Sequence, residues 1–258
     1  MAPDFTLDFD RMRRVGFPEV VLAQGKTPLQ IVEICRQLAR AHDVLVTRLS
    51  PEQWEEVSAA PLPGRASYDA RSMTLRLTVG KPMRQLEGSV AVVTAGTADT
   101  AVAEEARATL DYLGVSSLLV PDVGVAGVLR LLSRVEEIEK ADVIIAVAGM
   151  EGSLFSVLAG LVGKPVIAVP TSSGYGASLQ GFAALLSAMT SCANGVLTVN
   201  IDSGYAAAMA AYRILSGGPK TWARKNPAPG APASTRTKPR SASTENARRR
   251  SSARRRPR

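Results

Sequence analysis

Residues 143–153 read Val-Ile-Ile-Ala-Val-Ala-Gly-Met-Glu-Gly-Ser, and this stretch decides the fold. The first five residues are a continuous apolar run of strand length, a glycine-rich turn follows, and the pattern predicts a helix over Ser153–Leu161. A strand that is apolar on both faces suits a parallel sheet buried between two helical layers. The stretch therefore indicates an α/β fold.

The same pattern occurs five times in the second part of the chain. Strands are predicted at Val90–Thr94, Ser117–Val120, Val143–Val147, Val166–Val169 and Leu197–Ile201. Helices are predicted between and after them, at Thr100–Leu113, Val125–Lys140, Ser153–Leu161, Ala177–Met189 and Tyr205–Leu215. Strands that alternate with helices over short connections build a doubly wound fold. We therefore predict a three-layer sandwich with a five-stranded parallel sheet over residues 89–216.

Residues 1–88 have a different pattern and are predicted to form a small α/β N-terminal domain. The clearest element is a helix over Thr27–His42, because Thr27 can cap its first turn and Pro28 suits the first helical position. Two more helices are predicted, at Asp8–Arg14 and at Pro51–Ala59, and Ser50 opens the second of them. Three strands are predicted at Glu19–Ala23, Val44–Arg48 and Ser72–Val79.

Charge is divided unevenly along the chain. Of the 31 Lys and Arg residues, 13 lie from Gly217 onward, together with only Glu245 of the 23 acidic residues. Residues 1–216 therefore carry 18 basic and 22 acidic residues, although the whole chain has a net charge of +8. Residues 217–258 are rich in Pro, Ala, Ser, Thr and Arg, which predicts a disordered basic tail. The tail is either a weak, salt-dependent contact to nucleic acid or another anionic surface, or a solubilising extension.

Composition argues against several classes of protein. No apolar stretch approaches the roughly 20 residues that a membrane span needs, and the N-terminal residues do not have the pattern of a secretory signal. The two cysteines, Cys35 and Cys192, lie far apart, which argues against a disulfide framework and against a cysteine-based zinc site. We expect a cytoplasmic protein without a membrane span.

The loops that follow the strands are the candidate ligand sites, because ligands bind at the carboxyl ends of a parallel sheet. The loop between the strand Val90–Thr94 and the helix Thr100–Leu113 could hold a phosphate at the N-terminus of that helix. Asp99 or Thr100 could equally be a simple helix cap. Glu151 is a candidate general base, Mg²⁺ ligand or helix cap. Four such loops on one edge favour nucleotide binding, with the candidate residues Gly96, Thr97, Asp99, Asp122, Gly149, Glu151 and Ser172.

Cys192 lies between a predicted helix and the fifth predicted strand. Free cysteines are more often buried and inert than reactive. A helix that leads into a strand ends at the edge of the sheet opposite the ligand loops. Cys192 could therefore join the site only if the chain doubles back or if another subunit supplies it, and we expect a homo-oligomer with an active site at the interface.

Several separated motifs are characteristic of one family. They include Gly16-Phe17-Pro18-Glu19-Val20, Gly25-Lys26-Thr27, Ala95-Gly96-Thr97-Ala98-Asp99, Ala148-Gly149-Met150-Glu151-Gly152 and Ser191-Cys192. Together they resemble the LarB family of nickel-pincer cofactor biosynthesis proteins, the pyridinium-3,5-biscarboxylic acid mononucleotide synthases. The second domain is similar to aminoimidazole ribonucleotide carboxylase. The resemblance extends over about residues 1–216.

The resemblance implies a reaction. Nicotinic acid adenine dinucleotide would be carboxylated on its pyridinium ring by CO₂ or bicarbonate, and its phosphoanhydride would be hydrolysed to release AMP. Cys192 would be the covalent nucleophile, because a thiolate that adds to the ring makes it electron-rich enough to attack CO₂. Glu151 would transfer a proton or hold Mg²⁺, and Thr97 and Asp99 would contact the phosphate or ribose. Lys26 and Arg13 would reach the substrate or pair with acidic neighbours.

The chain departs from the family pattern at two positions. Leu129 stands where a histidine is expected, and Phe155 stands where a proline is expected. The one histidine of the sequence is His42, which argues against a histidine acid or base in the second domain. Two alternatives stay open: an aminoimidazole ribonucleotide carboxylase or mutase that does not need Cys192, and a non-catalytic nucleotide-binding protein.

Overall fold

Two sheets organise the part of the chain that the computed structural model describes, residues 5–217. The predicted tail lies outside these residues. The first sheet has four strands: β1 (Val21–Leu22), β2 (Val44–Thr47), β3 (Arg65–Asp69) and β4 (Thr74–Thr78). Their order is β1-β2-β4-β3, with β1 parallel to β2 and the other pairs antiparallel. Three helices accompany this sheet: α1 (Arg11–Val15), α2 (Pro28–Leu38) and α3 (Pro51–Ser58).

The two longer helices of this first part begin where their capping residues predict. Thr27 and Ser50 each accept a hydrogen bond from the backbone N–H three positions later, and a glutamine side chain at that position accepts one from the backbone N–H of the capping residue. Such a capping box satisfies two backbone donors that a helix start leaves free. The predicted starts of these two helices are confirmed.

The second sheet confirms the predicted fold class. It contains β5 (Ser89–Thr94), β6 (Ser116–Val120), β7 (Val143–Ala148), β8 (Val166–Pro170) and β9 (Val196–Thr198). The order is β6-β5-β7-β8-β9, and every neighbouring pair is parallel. Because β5 and β7 are adjacent but their connections run in opposite directions, the switch point of this doubly wound sheet lies between them.

Helices cover both faces of the parallel sheet. One face packs against α4 (Thr100–Tyr112) and α9 (Gly204–Leu215), and the other against α5 (Val128–Leu132), α6 (Val135–Ile138), α7 (Ser153–Leu161) and α8 (Phe182–Met189). Successive residues of β5 alternate between these two cores, with Val92 facing α4 and Val93 facing the second group. A strand buried on both faces explains the continuous apolar runs of the sequence.

Several element predictions differ from the structure. The helix predicted over Thr27–His42 ends at Leu38. The helix predicted over Val125–Lys140 is broken, because Ser133 and Arg134 separate α5 from α6. The helix predicted over Ala177–Met189 begins only at Phe182, since the preceding residues 179–181 all have positive φ angles, which a helix does not permit. β3 was not predicted, and β9 ends at Thr198 rather than Ile201.

The two sheets are in contact within residues 5–217, which lie in one compact unit. The hydroxyl of Tyr112 on α4 donates to the backbone oxygen of Asp43 at 2.8 Å, and the hydroxyl of Tyr212 on α9 donates to that of Gly16 at 2.9 Å. The Phe17 ring also meets Tyr212 edge to face. The division into domains 1–88 and 89–216 therefore stays a prediction. Among the helices of residues 5–217, none has the length and apolar character to cross a bilayer.

Candidate functional site

The loops at the carboxyl edge of the parallel sheet contact one another. The loop after β5 lies beside the loop after β6, where the backbone N–H of Asp122 donates to the Thr94 hydroxyl at 3.0 Å. The loop after β8 lies beside the loop after β9, where the backbone N–H of Ser172 donates to the Asp202 carboxylate at 2.8 Å. The edge is therefore a continuous polar surface, as the loop argument predicts.

Asp99 joins the loops after β5 and β8. Its side chain is buried and accepts hydrogen bonds from the Thr171 hydroxyl at 2.6 Å, the Ser173 hydroxyl at 3.0 Å and the backbone N–H of Gly96 at 2.9 Å. The carboxylate makes no side-chain cap for α4, although Asp99 occupies the capping position. Asp99 therefore connects the loops of this edge and is not only the residue before the start of α4.

Gly149, in the loop after β7, is a glycine because the loop after β8 approaches it closely. A Cβ atom at Gly149 would lie 2.3 Å from the Ser173 hydroxyl and 2.8 Å from that of Thr171. An alanine at this position would force both hydroxyls to move from their present positions, where they donate to Asp99. The loops after β5, β7 and β8 thus meet around Thr171 and Ser173.

A cavity of about 600 Å³ lies at this edge, between the two sheets. The second sheet supplies residues of α4 and of the loops after β8 and β9, and the first sheet supplies the loops after β1 and β2 and two residues ahead of β4. The lining residues are Gln24, Gly25, Arg48, Ser50, Gln53, Ser72, Met73, Ala98, Ala101, Val102, Glu105, Thr171, Ser172, Ser173 and Asp202. Its volume is within the range of small-molecule sites.

Arg48 crosses the cavity from the first sheet to the second. It follows β2 with a φ of 53°, in the left-handed region that few side chains adopt. Its Nη2 donates to the backbone oxygen of Asp202 at 2.7 Å, and its Nη1 donates to the Gln24 side chain at 3.4 Å. Its Nε lies 3.8 Å from Oε1 of Glu105. The guanidinium thus connects residues far apart in the sequence.

Glu105 is a buried carboxylate on α4, with 5% of its surface exposed. Its Oε2 accepts a hydrogen bond from the backbone N–H of Tyr205 at 3.1 Å, whereas Oε1 has no hydrogen-bond partner within residues 5–217. Burial raises the pKa of the Glu105 carboxyl, and the Tyr205 N–H and the Arg48 charge oppose this shift only in part. A carboxylate in this position holds Arg48 and the start of α9 together.

The predicted nucleophile lies elsewhere. Cys192 is exposed and precedes β9, whose first residue, Val196, pairs with the first residue of β8. The hydroxyl of the neighbouring Ser191 shares a 2.8 Å hydrogen bond with Ser156 of α7. The thiol therefore belongs to the face covered by α7 and α8, whereas the cavity lies on the α4 face, and Cys192 is not among the residues that line it.

The other cysteine is chemically inert. Cys35 is buried in α2, and burial raises the pKa of its thiol to about 12. Since the thiolate is the nucleophile, a thiol with such a pKa does not react at neutral pH. Of the two cysteines, only Cys192 is accessible to a substrate.

Glu151 is exposed in the loop before α7. The Ser153 hydroxyl donates to its carboxylate, and this hydrogen bond lowers the pKa of Glu151 below its usual range. The group is therefore ionised at neutral pH. Within residues 5–217, no three Asp, Glu, His or Cys side chains group together as a metal site. These residues alone do not form a resident Mg²⁺ site, so Glu151 stays a single candidate ligand.

The remaining predicted residues are placed as follows. Thr97 is exposed in the turn before α4, and Asp122 forms an ion pair with Arg130. Gly25 lines the cavity, whereas its neighbour Lys26 does not.

The other positions singled out in the sequence lie away from the cavity. Arg13 forms an ion pair with Asp10 at 2.6 Å, which agrees with the predicted alternative that it pairs with an acidic neighbour. Leu129 is 76% exposed, and Phe155 is fully buried in the core.

The three charged residues that line the cavity were not identified from the sequence. Arg48 and Glu105 carry no motif, because a charged residue in a loop or in a helix usually faces solvent. Asp202 follows the fifth predicted strand but was not among the candidate residues. The left-handed backbone of Arg48 cannot be recognised from the sequence, because glycine rather than arginine is the usual mark of such a conformation. These three charged residues are recognised only once the two sheets are packed together.

Comparison with known proteins identifies both parts of the chain. Residues 89–226 match the family described as AIR carboxylase, and residues 4–78 match the LarB/PurE-like N-terminal domain. An uncharacterized protein of Methanocaldococcus jannaschii is 38% identical over 216 residues, which are 81% of this chain and 82% of that protein.

Two further similarities concern shorter regions. The N5-carboxyaminoimidazole ribonucleotide mutase of Methanocaldococcus jannaschii is 40% identical over 131 residues, or 49% of this chain and 78% of the mutase. A crystal structure of a Treponema denticola PurE2 variant is 23% identical, with a TM-score of 0.44, and covers 53% of this chain and 84% of that one.

Proposed function

Because the chain belongs to the AIR carboxylase family and carries a LarB/PurE-like N-terminal domain, we propose that it carboxylates nicotinic acid adenine dinucleotide and releases AMP. The family supports a carboxylase-type or mutase-type enzyme. The product of the proposed reaction is pyridinium-3,5-biscarboxylic acid mononucleotide, a precursor of a nickel-pincer cofactor. The expectation that this reaction takes place in the cytoplasm is part of the proposal.

One observation carries the choice of substrate. The cavity has one wall from the LarB/PurE-like region, including Gln24 and Arg48, and one from the carboxylase-like region, including Glu105 and Ser172. The mutase relative matches over 131 residues only, and its name specifies a mononucleotide. An additional wall suits a substrate with an additional nucleotide.

The proposed chemistry begins at Cys192. Its thiolate adds to the pyridinium ring, and the dihydropyridine that results has an electron-rich C5, which forms a bond to CO₂. The proton on C5 then leaves to a base, the carbon–sulfur bond breaks, and its electron pair stays on sulfur while the ring becomes aromatic again. In a separate step, water cleaves the phosphoanhydride to give the mononucleotide and AMP.

Glu151 is the proposed base. Its lowered pKa makes it a weak base. However, the C5 proton of the carboxylated intermediate is acidic, because its loss restores an aromatic ring, so an ionised carboxylate is sufficient. The phosphates of the substrate, together with Glu151, would be the ligands of Mg²⁺, which prefers one or two carboxylates with phosphate oxygens.

The substrate would lie along the carboxyl edge of the parallel sheet. Thr97 and the loop organised by Asp99 would contact the ribose or phosphate next to the pyridinium ring, with Gly96 and Gly149 allowing the backbone to approach closely. Asp122, Ser172 and Lys26 would complete the binding surface. These roles agree with the cluster that Asp99 forms with Thr171 and Ser173.

A second copy of the chain is needed to complete this site. Cys192 and the cavity lie on different faces of one subunit, so we propose that the thiol of one subunit serves the site of another. Phe182, Leu186 and Met189 follow one another at helical spacing on α8, and each is more than half exposed. An apolar helix face of this kind, close in sequence to Cys192, suits a contact between subunits.

The first experiment incubates the purified chain with nicotinic acid adenine dinucleotide, bicarbonate and Mg²⁺, and identifies the products by mass spectrometry. A nicotinate mononucleotide heavier by one CO₂, together with AMP, is the expected result. The Cys192→Ala variant should lose the product, whereas Cys35→Ala, which removes the inert thiol, should retain it. Normal turnover by Cys192→Ala would exclude the cysteine mechanism.

The same incubation distinguishes the other candidates. Carboxylation of aminoimidazole ribonucleotide, with the dinucleotide returned unchanged, would assign the chain to the reaction class that its mutase relative favours. Tight binding of the dinucleotide without any turnover would instead indicate a nucleotide-binding protein.

A further inference from the structure

The cavity between the two sheets contains a cation that the proposed chemistry does not use. Arg48 is the one lysine or arginine among the lining residues of this cavity. Around it the first sheet presents neutral polar side chains, those of Ser50, Gln53 and Ser72. On the other side lie Ala98, in the turn before α4, and Ala101, in the first turn of α4, where the helix dipole favours a negative charge. Two carboxylates also line the cavity, but Glu105 faces Arg48 and Asp202 accepts from the backbone N–H of Ser172. The part of the cavity beside the Arg48 guanidinium therefore suits an anionic ligand group.

Part of the guanidinium of Arg48 is available to such a ligand. An arginine has five N–H groups. The hydrogen bonds to Asp202 and Gln24 use one N–H of each terminal nitrogen, and Nε lies 3.8 Å from Glu105 Oε1, in an ion pair without a hydrogen bond. One N–H on each terminal nitrogen is left, and two N–H groups of this kind can bind two oxygens of one phosphate.

Arg48 is also held in place before any ligand arrives. Its backbone adopts a left-handed conformation, which costs energy and persists only where the surroundings stabilise it. Glu105 has only 5% of its surface exposed. Its Oε1 has no hydrogen-bond partner in the described part of the chain and faces Nε of Arg48 at 3.8 Å. A fixed arginine loses little conformational freedom on binding, which favours affinity.

We propose that Arg48 binds a phosphate of the AMP half of the dinucleotide, with Glu105 as the residue that positions it. This inference rests on the proposed function for the identity of the nucleotide. The LarB/PurE-like region would then hold the leaving group, and the loops of the parallel sheet would hold the ring that reacts. Met73, at the same wall and 37% exposed, offers an apolar surface to the base.

The test measures binding rather than turnover. Isothermal titration of the full chain with AMP and with adenosine compares ligands that differ only in the phosphate. Arg48→Gln should weaken AMP binding about tenfold or more, since hydrogen bonds to charged groups contribute about 1.5–3 kcal/mol, and it should leave adenosine binding nearly unchanged. Arg36→Gln is the matched control, because Arg36 also donates to a backbone oxygen, that of Pro61, but does not line the cavity.

Glu105→Gln tests the positioning role. Glutamine can still accept from the Tyr205 N–H but cannot attract Arg48 by charge, so AMP affinity should fall by less than in Arg48→Gln. When Arg48→Gln is already present, adding Glu105→Gln should cause no further loss of AMP affinity, because there is no arginine left to position. A thermal unfolding curve for each variant shows whether the fold is retained.

Two results would overturn the inference: no AMP binding at millimolar concentration, or equal losses for AMP and adenosine in Arg48→Gln. The proposed function fails independently of it. A chain that binds AMP through Arg48 but does not carboxylate the dinucleotide would keep this subsite and lose the reaction. A chain that carboxylates the dinucleotide equally well with Arg48→Gln would keep the reaction and lose the subsite.

Discussion

At the scale of single residues, burial separates two aspartates that look alike in the sequence. Both follow a strand of the parallel sheet, but Asp99 is 3% exposed with three hydrogen bonds, whereas the Asp122 side chain is 46% exposed in a surface ion pair. Buried hydrogen-bond networks in a low-dielectric environment are costly to break, and exposed ion pairs contribute little.

Asp99→Asn should therefore destabilise the protein. An amide replaces a carboxylate that accepts from Thr171, Ser173 and Gly96, so at least one buried donor loses its partner, which costs about 1–3 kcal/mol. Urea unfolding of the variant measures the loss. Asp122→Asn, the matched control, should lower the free energy of unfolding by less than about 1 kcal/mol. Equal effects of the two substitutions would contradict the role given to Asp99.

Glu105 should make stability depend on pH. Burial raises its pKa in the folded protein, so as pH rises above the usual glutamate range the unfolded chain loses the proton first. The free energy of unfolding therefore falls until the pH has passed through the folded pKa. Glu105→Gln cannot titrate, and its stability relative to wild type should increase over this pH window.

The comparison needs urea unfolding at several pH values between about 4 and 7. Glu104→Gln is the control, because Glu104 is the neighbouring carboxylate on α4 and forms an ion pair with Arg107. A difference between Glu105→Gln and wild type that stays constant with pH would show that the Glu105 carboxyl has no raised pKa.

At the scale of secondary structure elements, α8 has an apolar face without a partner in the described part of one chain. Leu186→Glu places a charge in the middle of this face, which is exposed in the subunit, so the fold should be retained while association between subunits is lost. Light scattering coupled to gel filtration should show a wild-type oligomer and a variant of lower mass. Leu129→Glu, at an exposed leucine of α5, should keep the wild-type mass.

Patterning predicted the elements with clear apolar runs and failed for the most exposed strand and for breaks within helices. All five parallel strands were located, because a run such as Val143–Val147 has no polar face to disguise it. β3 was missed since four of its five residues are exposed and its sequence, Arg-Ala-Ser-Tyr-Asp, contains no run of apolar residues. The late start of α8 depends on the positive φ angles of residues 179–181, which periodicity does not report, and the apolar spacing likewise does not show the break between α5 and α6.

The candidate site was predictable only where one sheet determines it. Asp99 and Ser172 lie at the predicted edge, because the carboxyl ends of parallel strands must meet there. Arg48 and Glu105 were not, since their importance arises from the packing of one sheet against the other. Neither residue has a neighbour in the sequence that indicates a ligand.

At the scale of the whole molecule, the basic residues after Gly217 and the site belong to different parts of the chain. A chain truncated after Gly217 retains both sheets and the whole cavity. It should therefore carboxylate at the wild-type rate, whereas salt-dependent retention on immobilised nucleic acid should be lost with the 13 basic residues. Loss of activity on truncation would place the tail in the site, and unchanged retention would assign the basic surface to residues 1–217.

The bond from Arg48 to the Asp202 backbone joins positions 154 residues apart. Closing so long a loop is entropically unfavourable until the intervening structure has formed, so contacts of this separation form late in folding. A chain that ends before β9 would contain the entire first sheet and four parallel strands, yet its cavity would stay open. The ability to hold a nucleotide is therefore expected to appear at the last stage of folding, and ligand binding during refolding would time that stage.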